Sequence, residues 1–152
     1  MNTASEALAF VYRCVPTAAE DMRLLIRVLN AAHPVRDLRC VTVPGNPRPK
    51  RRPRFTSRGH AFVPKDERLW AARMRAMLQD SGVRRDDGPV AVAMLLVRAD
   101  RRRADVDNLQ KAWLDIANGV LFRDDSQVAS LHADVIVDPA SPRTVIAVAS
   151  IR

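Results

Sequence analysis

The chain is organised around residues 101–111, Arg-Arg-Arg-Ala-Asp-Val-Asp-Asn-Leu-Gln-Lys. A second stretch with two adjacent aspartates follows at residues 123–127, Arg-Asp-Asp-Ser-Gln. The first stretch follows an apolar run and precedes apolar residues at helical spacing. We therefore expect it where a strand ends and a helix begins. Carboxylates this close together repel one another unless a cation joins them. The two stretches predict a divalent-metal site in a chain whose net charge is +8.

Asp105 and Asp107 are the first candidate metal ligands. In an extended segment their side chains point to the same side, roughly 6.5–7 Å apart. Carboxylate oxygens suit Mg²⁺, with Mn²⁺ as a substitute, and such a site keeps positions for water and phosphate. A third carboxylate, from Asp124 or Asp125, completes the site if the fold returns the chain there. Lys111 lies one helical turn after Asp107, and it either forms an ion pair or stabilises charge on a phosphate.

The segments around these aspartates indicate one domain that contains both helices and strands. Residues 90–97 form a nearly continuous apolar run, typical of a central strand buried on both faces. Asp86 and Asp87 precede it in what we interpret as a solvated loop. We predict a main domain over residues 39–152 and an N-terminal helical extension over residues 1–38, with a packing or dimerisation role. Within the main domain, helices are expected over residues 64–79 and 106–121, and further strands over residues 39–43, 127–137 and 144–151.

A basic, proline-rich segment covers residues 44–58. Its prolines prevent a regular strand ladder, so an extended arm is expected. The arm is either a solvated loop or a surface that follows DNA phosphates and binds them in a salt-dependent way. Phe55 within it either stacks on a base or anchors the arm in the core. The candidate DNA-binding cations of the arm and of the first acidic stretch are Lys50, Arg51, Arg52, Arg54, Arg58, Arg101, Arg102 and Arg103.

The overall composition also restricts the function. Twenty-five Lys and Arg residues against seventeen Asp and Glu, with a pI near 10.9, indicate a polyanionic partner. No apolar run approaches the 18 or so residues of a membrane helix, and no secretory signal is evident. Cys14 and Cys40 are isolated, which fits a reduced, cytoplasmic protein. No Ser-His-Asp set is evident, because His33, His60 and His132 lack convincing partners.

Taken together, these residues resemble the RusA family of phage-type Holliday junction resolvases. The resemblance covers roughly residues 41–150 and depends on an ordered set of motifs, which is more specific than any single one. An EF-hand loop and a P-loop are excluded, because the glycines that they need are absent. The matching segments are residues 49–56, 58–61, 64–65, 105–111, 115, 118–121 and 124–128.

The resemblance implies an α+β fold, a single domain with a mixed β-sheet flanked by helices, to which this chain adds its N-terminal extension. It implies a homodimer that binds four-way DNA junctions and makes Mg²⁺-dependent paired nicks during DNA recombination and repair. It also implies a place in the bacterial cytosol or nucleoid, with a host or a prophage as the source of the gene.

The resemblance also assigns roles to individual residues. Asp105, Asp107 and Asp125 fall on the metal ligands, with Asp124 in reserve for Asp125. Lys111 falls on the catalytic lysine. The basic arm of the family corresponds to Lys50, Arg52 and Arg54, whereas Arg51 stands where a glycine is common.

Two other functions remain open at this point. One is a non-catalytic, basic nucleic-acid-binding module whose aspartates only cap and pair on a helix. The other is a metal-dependent nuclease that cuts flaps or single strands rather than four-way junctions.

Overall fold

The computed structural model describes residues 17–32 and 34–151. Residues 1–16 of the expected extension, with Cys14, and also His33 lie outside the described residues. The helices described are α1 (Ala19–Ala32), α2 (Lys65–Asp80) and α3 (Val106–Ala117). The strands are β1 (Val35–Pro44), β2 (Arg54–Phe55), β3 (Ala61–Phe62), β4 (Val90–Arg98), β5 (Val128–Val137) and β6 (Arg143–Ile151), and a short 3₁₀ helix covers Asp125–Gln127.

The main sheet has four strands in the order β1-β6-β4-β5. β1 and β4 both run antiparallel to β6, whereas β4 and β5 are parallel and are connected through α3. The sheet is therefore mixed, and the fold is α+β as expected. Because β4 and β5 are parallel, α3 must carry the chain back along the sheet from the end of β4 to the start of β5.

Strand β4 forms the centre of the molecule because its side chains alternate between two apolar layers. Val92 and Met94 belong to one layer together with residues of α2 and α3. Ala93 and Leu95 belong to the other layer together with residues of α1. All nine residues of β4 are buried. This arrangement confirms the prediction of a central strand covered on both faces.

Helix α1 covers the face of the sheet opposite to α2 and α3. Leu25 and Leu29, one helical turn apart, are nearly fully buried against β4 and β6. Burial of each leucine stabilises the fold by about 1.5–3 kcal/mol. Asp21, buried in the first turn of α1, forms a bidentate ion pair with Arg143 of β6 at 2.9 and 3.1 Å. This part of the extension is thus packed into the same core as the rest of the domain.

Helices α2 and α3 pack together on the other face. The rings of Trp70 and Trp113 meet edge to face, with centroids 6.0 Å apart. Helix α3 ends at Ala117 rather than at residue 121, because Asn118 adopts an extended conformation and Gly119 has φ +78°. The Arg75 guanidinium donates hydrogen bonds to the Asn118 and Ile116 carbonyl groups at this end.

Three local expectations are wrong. The arm was expected to lack a strand ladder, but its residues 54–55 form β2, which pairs with β3 just after the arm in a two-stranded hairpin. Asp86 is not solvated: it is buried, accepts a hydrogen bond from the Ser150 hydroxyl group at 3.1 Å, and pairs with Arg39. Burial is the main reason why the pKa of Arg39 is lowered. His132 has a partner, since its Nε2 lies 2.9 Å from an Asp134 oxygen.

Candidate metal centre and nucleic-acid interface

The segment between β4 and α3 is held in place by one local and one long-range hydrogen bond. The side chain of Arg98, buried at the end of β4, donates a hydrogen bond to the Arg102 carbonyl oxygen. The Asn46 side chain accepts a hydrogen bond from the Ala99 backbone N–H at 2.9 Å. These contacts fix the path of the chain as it approaches Asp105.

Asp105 and Asp107 lie together at the amino end of α3. Asp105 occupies the N-cap position with extended backbone angles, but its carboxylate makes no capping hydrogen bond. Asp107 lies in the first turn, where the helix dipole favours a negative charge. Both side chains are exposed. The Asp105 carboxylate is therefore available to a ligand.

Lys111 is ion-paired with Asp107, with its ammonium nitrogen 2.8 Å from an Asp107 oxygen. Both side chains are more than half exposed, so the pair contributes little to stability. Its significance is positional, because it keeps a cation one turn from the two carboxylates. The structure thus places Asp105, Asp107 and Lys111 within the first turns of α3, with Lys111 in contact with Asp107.

Asp124 and Asp125 lie at the opposite end of α3. Asp124 accepts hydrogen bonds from the Ser126 backbone N–H and hydroxyl group, and it caps the short 3₁₀ helix. The hydrogen bonds from Ser126 are the main cause of its lowered pKa. Asp125 is exposed and begins that 3₁₀ helix. Asp124 therefore has a local structural role that its neighbour lacks.

Within one chain, the length of α3 separates Asp105 and Asp107 from Asp124 and Asp125. The helix has twelve residues, which corresponds to about 18 Å. Among the described residues no three Asp, Glu, His or Cys side chains approach closely enough to hold one metal ion. A single chain therefore brings the first two aspartates together and leaves Asp124 and Asp125 at a distance.

The basic arm runs directly past the amino end of α3. The Lys50 backbone N–H donates a hydrogen bond to the Asn108 carbonyl oxygen at 2.9 Å. An open groove of about 530 Å³ lies between the arm and this helix end. Arg52 and Arg103 line the groove together with Asp105. Cations that can hold phosphate thus lie next to the candidate metal ligands.

The eight candidate DNA-binding cations fall into two groups, those paired with a carboxylate and those without such a pair. Lys50 pairs with Asp115 of α3 at 2.5 Å, and Arg51 pairs with Glu67 of α2 at 3.1 Å. Arg102 is loosely paired with Asp100, at 3.6 Å. The exposed side chains for which no ion pair with another described residue is present are those of Arg52, Arg54, Arg58, Arg101 and Arg103.

The arm ends in the β2–β3 hairpin, which projects its side chains into solvent. The hairpin turn is closed by a hydrogen bond from the Thr56 N–H to the His60 carbonyl oxygen at 2.9 Å. Gly59 in the turn has φ +80°, a backbone conformation that glycine adopts without strain. Phe55 is 69% exposed, so it is not a core anchor. Its ring is available for stacking.

Sequence reasoning missed the residues that position the site. Asn46 and Arg98 hold the loop that leads to Asp105. Asn46 and its partner are 53 positions apart, and no local pattern reveals such a contact. A weak signal was the polar Asn46 directly after Pro44-Gly45, a place where turns form.

The chain was compared with known proteins. It matches the family model described as Endodeoxyribonuclease RusA over residues 44–149, which is more than half of its 152 residues. No curated protein matches it. No helix within residues 17–32 and 34–151 combines the length and the apolarity that crossing a bilayer requires.

Proposed function

Because the chain belongs to the RusA endodeoxyribonuclease family, we propose that it is a divalent-metal-dependent nuclease that resolves four-way DNA junctions. In this proposal two copies nick two opposed strands during DNA recombination and repair. The observation that carries the proposal is the exposed Asp105 carboxylate in a groove lined by arginines, with the Asp107–Lys111 pair in the adjoining first turns of α3.

The donor set fits a hard divalent cation. Asp105 has a carboxylate free of capping bonds, and Asp107 is paired only with a lysine at the surface. These oxygen donors favour Mg²⁺, with Mn²⁺ as a substitute. A bound cation would supply a water molecule of lowered pKa and would neutralise charge on the phosphate. In that reaction Lys111 would hold its positive charge beside the phosphate, where negative charge accumulates.

Strand β5 offers the surface for a homodimer. It is a ten-residue edge strand, and no strand of the described residues pairs with its outer side. Unprotected edges of this kind pair with other chains. Leu131, Val135 and Ile136 are exposed there, and the strand has no Lys, Arg or Pro; its one acidic residue, Asp134, is paired with His132. The opposite edge, β1, is protected by a register shift and by Asp37 at φ +49°.

Such a dimer would also bring the separated aspartates together. If β5 pairs antiparallel with its counterpart, the start of one strand lies against the end of the other. Asp125 directly precedes the start of β5, whereas Val137 at its end is paired with Arg98. From Arg98 the chain leads to Asp105. We therefore infer a metal site shared between subunits, with Asp105 and Asp107 from one copy and Asp125 from the other. Asp124 is less suited because it caps the 3₁₀ helix.

The basic arm supplies the DNA contacts in this proposal. Arg52, Arg54 and Arg58 are exposed on the arm and its hairpin, and each can bind phosphate oxygens bidentately. Lys50 and Arg51 are paired with carboxylates in the free protein. They become available to phosphate only if those pairs open.

A cleavage assay with a synthetic four-way junction tests the proposal. The wild-type protein should make paired nicks with Mg²⁺ and none without it. Asp107→Asn should bind the junction and fail to cut it, because a neutral amide is a poor metal ligand. Asp80→Asn, an exposed change at the end of α2, is the matched control and should cut normally.

The same assay separates the other functions. Salt-sensitive binding with no cleavage in either Mg²⁺ or Mn²⁺ would identify a binding module. Faster cutting of flaps or single strands at fixed salt would identify a different nuclease class. Undiminished cutting by Asp107→Asn would remove the proposed mechanism. Light scattering at micromolar concentration should show a dimer, and Val135→Lys should convert it to a monomer.

A further inference from the structure

A second cavity lies between the arm, α2 and α3, and the proposed cleavage reaction does not use it. Its volume is about 320 Å³, which is within the range of small-ligand pockets. The apolar part of its lining comes from Trp70, Ala71, Ala112 and Ile116. The Trp70 ring is held by its edge-to-face contact with Trp113. The cavity therefore has a preformed apolar wall with an aromatic side chain.

The rim of this cavity is charged, in contrast to its apolar wall. Arg48, Lys50, Arg51, Arg68 and Arg75 contribute cationic side chains, of which Lys50 and Arg51 are paired with Asp115 and Glu67 of the same lining. Lys50 and Arg51 also line the groove that contains Asp105. A ligand with an apolar, flat part and an attached anionic part would match both the wall and the rim. A nucleotide of a DNA strand held on the arm has this composition.

Glu67 adds a polar feature inside the cavity lining. Its buried Oε1 lies 3.1 Å from Arg51 Nε in an ion pair, but it accepts no well-aligned hydrogen bond from a described residue. Buried acceptors are normally satisfied. This oxygen is therefore placed to accept a hydrogen bond from the amino group of a ligand. Adenine, cytosine and guanine carry such a group, whereas thymine does not.

We propose that this cavity receives one unstacked nucleobase of the DNA that the arm binds, an inference that rests on the proposed function. The base would contact the Trp70 wall, its amino group would face Glu67, and its phosphates would lie among the rim arginines. Unstacking costs less for a base that has fewer neighbours to leave, and a base at an open branch point lacks a stacking neighbour on one side. Because Lys50 and Arg51 line both this cavity and the groove that contains Asp105, the extracted base would lie next to the cleavage groove.

The test uses two alanines on the same helix. Ala72 is exposed and lines the cavity, and Ala76 is exposed one turn further along α2, outside the lining. Ala72→Leu fills the cavity, and Ala76→Leu adds the same side chain elsewhere. Alanine and leucine have similar helix propensities, so both variants should fold. Circular dichroism and thermal melting of the two variants confirm this before DNA is added.

The measurement is the fluorescence of 2-aminopurine, which rises when this base leaves the stack. Four-way junctions with the probe at single positions around the branch are bound without divalent metal, so no strand is cut. At one position the wild-type protein and Ala76→Leu should raise the fluorescence several-fold. Ala72→Leu should bind the junction within about threefold of the wild-type affinity and give no rise.

Three outcomes would overturn the inference. One is junction binding by the wild-type protein with no fluorescence rise at any position. Another is an unchanged rise with Ala72→Leu. A third is a change of oligomeric state with Ala72→Leu, which would place a part of a second copy in the cavity. Failure of the proposed function is visible separately, as absence of junction binding or of cleavage in the gel assay.

Discussion

The ion pair between Asp21 and Arg143 tests whether α1 is an integral part of the domain. The perturbation is Asp21→Asn, which keeps the size of the side chain and removes its charge. Asp21 is only 6% exposed and meets Arg143 through two contacts, at 2.9 and 3.1 Å. The hydrogen bond to Asp21 is the main cause of the raised pKa of Arg143.

The expected loss of stability follows from this geometry. Removing one partner of a fully buried pair costs about 3–5 kcal/mol, and one hydrogen bond to a charged group contributes about 1.5–3 kcal/mol. Arg143 keeps partial access to water and a weaker contact with Asp138 at 3.4 Å. We therefore expect Asp21→Asn to lower the free energy of unfolding by about 2–3 kcal/mol, close to the contribution of one hydrogen bond to a charged group. In a chain of this size, that loss lowers Tm by about 5–9 °C.

Thermal and urea unfolding of matched variants provide the assay. Asp66→Asn is the control, because Asp66 also lies in the first turn of a helix but is exposed and 3.8 Å from Arg48. The control should lose less than about 1 kcal/mol, most of it from the helix dipole. Equal losses in Asp21→Asn and Asp66→Asn would refute the reasoning, and α1 would then be a dispensable attachment.

Two further predictions concern the short 3₁₀ helix before β5 and the basic arm. Ser126→Ala removes the hydrogen bonds from the hydroxyl group that lower the pKa of Asp124, so NMR titration should show this pKa rising towards its ordinary value. The stabilising effect of these bonds is present above the unfolded pKa and is lost as the pH falls through the folded pKa. Arg54→Gln should reduce the slope of log affinity for DNA against log salt by about one, whereas Arg23→Gln, on the other face of the sheet, should leave it unchanged.

The sequence predicted the centre of the fold because the signal there is local. Residues 90–97 are apolar at every position, and a strand with two buried faces is the arrangement that accepts such a run. The signal for the transition from β4 to α3 was also local, since charged residues follow the apolar run and Asp105 and Asp107 stand where residues at helical spacing begin. These two features predicted that Asp105 and Asp107 lie at the start of α3, which is where the structure has them.

The remainder of the site depends on long-range contacts that have no local signal. Asp86 lies in a polar segment and reads as a loop residue, yet it is buried beside Arg39, 47 positions away. Lys50 reads as a free cation, yet it is paired with Asp115, 65 positions away. Asp125 was expected just after α3, but the parallel pairing of β4 and β5, which keeps it away from Asp105 within one chain, is not specified by residue patterns.

A heterodimer with one changed aspartate in each subunit tests the central claim most directly. One subunit carries Asp107→Asn and the other Asp125→Asn, with different affinity tags so that the mixed species can be purified. If each site takes Asp107 from one copy and Asp125 from the other, the heterodimer has one intact site and one doubly altered site. It should nick a four-way junction on one strand, although either variant homodimer is inactive. A heterodimer as inactive as both homodimers would contradict the shared site.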